Sequence, residues 1–125
     1  MHWFYIFIGA GLGGLARFAS LEFVLGVAGW RALPFGTVFV NVFGSALMGL
    51  AFAALGGGER NSAAFAFIGT GFLGGFTTFS AFSLDAVRLI ERGQLSHALG
   101  YIGGSVVLSI ASLFLGLAVY RTLFD

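Results

Sequence analysis

The chain has no cysteine, no lysine and a single proline, and only 9% of its 125 residues carry a charge. Each shortage closes off a class of explanation. Without cysteine there is no disulfide, no thiol chemistry and no Cys-based metal site. A soluble domain of this size carries about 25% charged residues, so this composition does not read as a soluble domain. Six arginines against five carboxylates leave a formal charge of +1, which gives no basis for a nucleic-acid partner. The residue sets of catalysis are missing as well. No Ser-His-Asp set, carboxylate pair or His cluster at ligand spacing falls within the apolar segments, and no enzymatic activity is expected. The start, Met1-His2-Trp3-Phe4-Tyr5, lacks a basic n-region and a cleavage motif. The first apolar stretch is therefore expected to stay as a span rather than leave as a signal peptide.

What remains is apolar: 58% of residues are hydrophobic, with 21 glycines and 16 phenylalanines. A bilayer span takes about 20 apolar residues, and four segments qualify: Phe4 to Val27, Phe35 to Leu55, Ala63 to Ile90 and Ala98 to Leu123. The breaks at 29–34, 56–62 and 91–94 carry turn residues and charge, as helix connections do. The expectation is an all-α membrane protein of four transmembrane helices, one domain over residues 1–125. The third segment is longer than a span requires, which suits a helix interrupted near its middle.

That third segment holds the most informative residues, Gly71-Phe72-Leu73-Gly74-Gly75-Phe76-Thr77-Thr78-Phe79-Ser80-Ala81-Phe82. Glycines beside hydroxyls weaken a helix and free backbone carbonyls that lipid cannot satisfy. Broken backbone at membrane depth is tolerated where protein or a water-filled cavity surrounds it, as at ion and substrate sites. Phe79 and Phe82 are three apart and share a face. With so many phenylalanines, packing is the default role for any one of them. Ring edges are electropositive, however, so these two could also attract a bare anion.

Polar residues recur every four positions on two other spans. On the second, Thr37, Asn41, Ser45 and Gly49 share one face. Small-residue packing accounts for Thr37, Ser45 and Gly49, whereas the Asn41 amide needs partners and suits a ligand-facing role. On the fourth, His97, Tyr101, Ser105 and Ser109 repeat the spacing, with Ser112 off the row. That column resembles the wall of a polar path more than a packing stripe, with His97 placed at the water interface. Arg17 lies roughly 20 Å into the first span at 1.5 Å per residue. It either snorkels toward the interface, with Glu22 as a possible neighbour, or faces a vestibule and concentrates anions.

Two glycine patterns, Gly9-Ala10-Gly11-Leu12-Gly13-Gly14 and Gly69-Thr70-Gly71-Phe72-Leu73-Gly74, match G-x-G-x-x-G. A dinucleotide site needs that turn between a strand and a helix. Here both lie inside spans, where Gly9 with Gly13 and Gly71 with Gly75 form small-xxx-small contacts instead. Arginines are almost evenly divided between the two sides. Arg60 and Arg121 lie with the termini, Arg31, Arg88 and Arg92 lie opposite, and Arg17 is ambiguous. Such a flat distribution is a weak orientation signal. It fits either one orientation or insertion both ways, and the latter would allow an antiparallel two-fold dimer.

Taken together these residues resemble the Fluc (CrcB) family of bacterial fluoride channels along nearly the whole chain. The resemblance rests on Gly13-Gly14-Leu15-Ala16-Arg17-Phe18, on Phe35-Gly36-Thr37 with Val40-Asn41, on the Gly71-to-Phe82 segment, and on Tyr101 with Ser105 and Ser109. It implies an antiparallel, dual-topology homodimer in the bacterial inner membrane. Two passive pathways would export fluoride and limit its accumulation in the cytoplasm. The Gly74 and Thr77 carbonyls would surround a central structural sodium ion, and Phe79 and Phe82 would supply ring edges. Asn41 would donate to fluoride, with Ser80 and Thr78 joining the polar lining, while Tyr101, Ser105 and Ser109 continue the hydroxyl track and Thr37 adds to it. The resemblance departs at Asp85, where the family often carries Glu, and at Ala81, where it often carries a hydroxyl. Three rivals stand against a channel: a proton-coupled fluoride carrier, a small four-span exporter of cationic drugs, and a non-transporting assembly factor. The first two need a central titratable group. The only candidate carboxylates within the spans, Glu22 and Asp85, are both expected near helix ends.

Overall fold

A computed structural model describes residues 2–28, 34–56 and 62–124. They form helices throughout: α1 (Trp3–Ala28), α2 (Phe35–Ala54), α3 (Ala63–Phe65), a π-helical stretch (Ala66–Leu73), α4 (Gly74–Phe76), α5 (Phe79–Glu91) and α6 (Leu95–Phe124). There is no strand among the described residues. Four spans are long and apolar enough to cross a membrane: α1, α2, the composite Ala63–Glu91, and α6. The chain is thus a multi-pass membrane protein. The fourth helix begins three residues earlier than hydropathy suggests, because Gln94 takes the N-cap position and its carbonyl accepts from the Ala98 N–H. The expected connections at 29–34 and 56–62 lie largely outside the described residues, and with them Arg31, Glu59 and Arg60.

Two glycine seams hold the bundle together. A Cβ on Gly9 or Gly13 would strike the backbone carbonyls of Phe67 and Phe72, and one on Gly75 would strike that of Ala10. The small-xxx-small contact expected from sequence therefore joins α1 to the π-helical stretch and α4. The second seam joins α2 to α6. There a Cβ on Gly49 would strike the Leu113 carbonyl, and one on Gly116 the Ala46 carbonyl. Lipid tails are as apolar as leucine, so spans gain from close backbone approach rather than from a hydrophobic drive. The second seam also settles Gly49, which belongs to packing. Ser112 Oγ reinforces it by donating to the Val42 carbonyl at 2.8 Å.

The third span is interrupted where the glycines and threonines predict, and its first half is also altered. Residues 66–73 wind as a π-helix, a form that is rare and gathers at functional sites. The Phe65 ring lies directly over Gly69, so a side chain there would have to displace the ring. Beyond the break, α5 packs on α6 around a small core of Phe82, Ala86, Leu89, Ala98 and Tyr101. A glycine at φ +75°, Gly93, then turns the chain into α6.

Candidate functional site

The break consists of two residues in extended conformation, Thr77 (φ −85°, ψ 159°) and Thr78 (φ −151°, ψ 125°). Several polar groups around them have definite partners. The Thr77 N–H and Oγ1 both donate to the Leu73 carbonyl, at 3.0 and 2.9 Å. The Thr78 N–H donates to Asn41 Oδ1 at 2.8 Å, and Asn41 Nδ2 donates back to the Thr78 carbonyl at 3.0 Å. Thr78 Oγ1 accepts from the Ala81 N–H at 3.1 Å and so caps α5, an arrangement that contributes about 1 kcal/mol. Ser80 Oγ stands 3.4 Å from the same hydroxyl.

Beside the break lies an open cleft of about 340 Å³. Asn41, Ser45, Thr77, Thr78, Phe79, Phe82, Ser105 and Ser109 line it together with Gly44, Met48, Val106, Ile110 and Leu113. The Phe79 and Phe82 rings are 5.4 Å apart and tilted by 46°. Phe82 is 8% exposed and Phe79 77% exposed, so one ring is built into the fold and the other stands free at the mouth. Ser105 Oγ is buried and has no hydrogen-bond partner. A buried hydroxyl without a partner is unfavourable, and Ser105 is among the residues that line the cleft.

One cluster was not anticipated as a unit. Asp85 Oδ2 accepts from Thr37 Oγ1 at 2.8 Å and from Tyr101 Oη at 3.1 Å. Both hydroxyl residues are buried, at 6% and 4% exposure. Asp85 sits at the middle of α5 (Phe79–Glu91) rather than near a helix end as expected, and it turns inward between α2 and α6. The Tyr101 ring is 5.3 Å from Phe82, so this cluster adjoins the inner end of the cleft.

Residues 4–117 match the family described as CrcB-like protein, Camphor Resistance (CrcB). The chain belongs to the CrcB family. Curated relatives agree along its length. It is 46% identical to a "Fluoride-specific ion channel FluC" of Rhodopseudomonas palustris (strain BisB5), covering 98% of this chain and 99% of that one. It is 44% identical to the protein of that name from Novosphingobium aromaticivorans, with 94% of each covered. With the Ruegeria sp. (strain TM1040) protein of the same name it shares 50% identity over 88% and 90%.

In this CrcB-family chain the structure brings some of the expected residues together and separates others. Asn41, Thr77, Thr78, Phe79, Phe82, Ser105 and Ser109 meet at the cleft, and Ser45 joins them from the α2 row. Thr37 and Tyr101 belong instead to the Asp85 cluster, so the hydroxyl column on α6 serves two neighbouring environments. Ser80 is exposed and sits outside the cleft wall, tied to Thr78, while Gly74 is exposed just before the break. Arg17 is half-buried on α1 and away from the cleft; Glu22 is exposed. Five residues apart, these two face different sides of one continuous helix. His97 is exposed in the first turn of α6, as its position at the end of the row suggests.

Proposed function

We propose that the chain is a fluoride-selective channel that lets the ion pass down its gradient and out of the cell across the inner membrane. The observation that carries this reading is the cleft itself. Hydroxyls, a carboxamide and two phenylalanines converge at a helix break, and one buried hydroxyl there has no partner in the protein. The names of the full-length relatives supply the ion. Fluoride is small and strongly hydrated, so a narrow apolar passage rejects it unless donors replace its water. Ser105, Ser109, Asn41 and Thr78 are such donors, the Phe79 and Phe82 edges add weak attraction, and Ser80 lies within reach. Tyr101 and Thr37 extend the polar lining past Phe82, and Arg17 adds positive potential toward the vestibule. Passage must stay weak and multi-site, or the ion would remain bound.

In this reading two copies assemble antiparallel. The cleft is open on one side and Phe79 stands exposed beside it, so a second copy would close the wall that one chain leaves incomplete. The nearly even arginine distribution suits insertion in both orientations. A hard cation fits the donor chemistry of the break, since Thr77 has left the helix and the Thr78 N–H that would return to the Gly74 carbonyl goes to Asn41 instead. Gly74 and Thr77 of each copy would hold sodium. Bound there, sodium supplies a fixed positive charge near the anion paths in a low dielectric.

The deciding experiment is ion release from liposomes carrying the purified protein, read with a fluoride electrode and repeated with chloride. Fast, valinomycin-dependent fluoride release with little chloride release is expected. Absence of fluoride release from folded protein overturns the channel, and release without need of a counter-ion path favours a proton-coupled carrier.

A further inference from the structure

The residues of the third span do not by themselves explain why the helix stops at Thr77 rather than running on. In a continuous α-helix the Thr78 N–H would return to the Gly74 carbonyl, and the Ala81 N–H to the Thr77 carbonyl. Neither bond forms. The Thr78 N–H goes to Asn41 Oδ1 at 2.8 Å, and the Ala81 N–H goes to Thr78 Oγ1 at 3.1 Å. Two side chains thus capture the two donors that would otherwise occupy the oxygens of Gly74 and Thr77.

Asn41 does more than accept. Its Nδ2 donates to the carbonyl of the same residue, Thr78, at 3.0 Å. A carboxamide carries a donor and an acceptor side by side, as a peptide unit does, so it pairs with both polar groups of Thr78. The extended backbone at the break is thereby satisfied by α2, which is what irregular backbone at membrane depth requires. One Nδ2 hydrogen is left over, and the side chain lines the anion cleft.

We propose that Asn41 is a positioning residue for the cation cage. By clamping Thr78 it holds the break open and keeps the Gly74 carbonyl free of its helix donor. Sodium affinity is then set in part by a side chain on another span that never touches sodium. This rests on the sodium-stabilised channel reading above and adds to it a physical link between the anion wall and the cation cage.

The test titrates sodium into the purified full-length protein, with a bulky organic cation as replacement, and follows the midpoint of thermal unfolding. Wild type should gain stability with sodium. Asn41→Leu has nearly the same size but neither hydrogen bond, and its half-maximal sodium concentration should rise at least tenfold. Asn41→Asp keeps the acceptor for the Thr78 N–H. It should titrate within threefold of wild type, or more tightly, even though a carboxylate in the cleft abolishes fluoride flux. An Asn41 that only donates to the anion predicts an unshifted Asn41→Leu, and that result overturns the proposal. Should Asn41→Leu not assemble, Asn41→Asp decides alone, because a tenfold loss of sodium response there refutes the clamp. A wild type indifferent to sodium overturns cage and clamp together, while fluoride release from the same preparation reports separately on the channel.

Discussion

Replacing Asp85 by alanine should be among the most damaging single changes outside the glycine seams. The carboxylate is the acceptor for two buried hydroxyls, Thr37 Oγ1 at 2.8 Å and Tyr101 Oη at 3.1 Å. Hydrogen bonds to charged groups contribute about 1.5–3 kcal/mol, whereas polar contacts between membrane spans average about 0.6 and reach about 1.7 kcal/mol. Taking about 1–2 kcal/mol for each bond, Asp85→Ala should lower stability by about 2–4 kcal/mol. Asp85→Asn keeps an acceptor oxygen and should lose about 1 kcal/mol or less, the charge-assisted part. Thr37→Val and Tyr101→Phe should each lose an intermediate amount. Because both donors share one oxygen, their effects should not add. The assay is reversible unfolding in mixed micelles, with each variant first checked for assembly. If Asp85→Ala unfolds at the wild-type midpoint, the cluster contributes nothing and the geometric account is refuted.

Phe82→Ile should depress fluoride release while assembly is kept, since the isoleucine fills part of the space but presents no ring edge. Wild-type release would remove the ring from the pathway. Gly13→Val should prevent folding outright, because the added atoms meet the Phe72 carbonyl and backbone cannot move aside; recovery of normal yield in detergent would refute the seam. Thr78→Val removes the cap of α5 and should cost about 1 kcal/mol, read as a lower thermal midpoint, with no change counting against the cap. Ser105→Ala removes an unpartnered buried hydroxyl, so it should leave stability equal or higher while lowering flux. A fall in stability would mean the hydroxyl has a partner after all.

Much of this architecture is legible in the residues. Run length places the four spans and the Gly74-to-Thr78 stretch marks where the third is weak, because both are local properties of backbone and hydropathy. The stop at Thr77 itself depends on Asn41 from another span. The seam between Gly9 and Gly13 on one side and Gly71 and Gly75 on the other also follows from spacing. Gly116 is harder to find: Ser112 lies four residues before it, but Ser112 falls off the row of His97, Tyr101, Ser105 and Ser109 and so does not draw attention to that face. The π-helical winding of residues 66–73 has no local marker either, since it depends on how α1 presses against Gly71 and how Phe65 covers Gly69.

The Asp85 cluster was within reach of a simple count that residue type alone does not prompt. In an up-and-down bundle the starts of the second and fourth spans and the end of the third lie on one side. Thr37 is two residues into α2, Tyr101 six into α6, and Asp85 six from the end of α5, so all three occupy similar depths. Periodicity within each helix groups Thr37 with Asn41 and Tyr101 with Ser105, and that grouping conceals the pairing across helices. Asn41 shows the opposite limit. Its need for partners is clear from chemistry, but that those partners are the N–H and the C=O of a single residue, Thr78, is a fact of tertiary structure.

The two glycine seams bear on how the chain is made. Synthesis delivers the spans in order, yet α1 finds its closest partner in the third span and α2 finds its own in the fourth. Each early helix therefore enters the bilayer before the surface that fits its glycine face exists. Neither the first pair of spans nor the last is a folding unit, and the packed state waits on the final helix. A ribosome stalled after residue 94 would leave Gly49 facing lipid with nothing to close against, a state that quality-control proteases could distinguish from the finished protein.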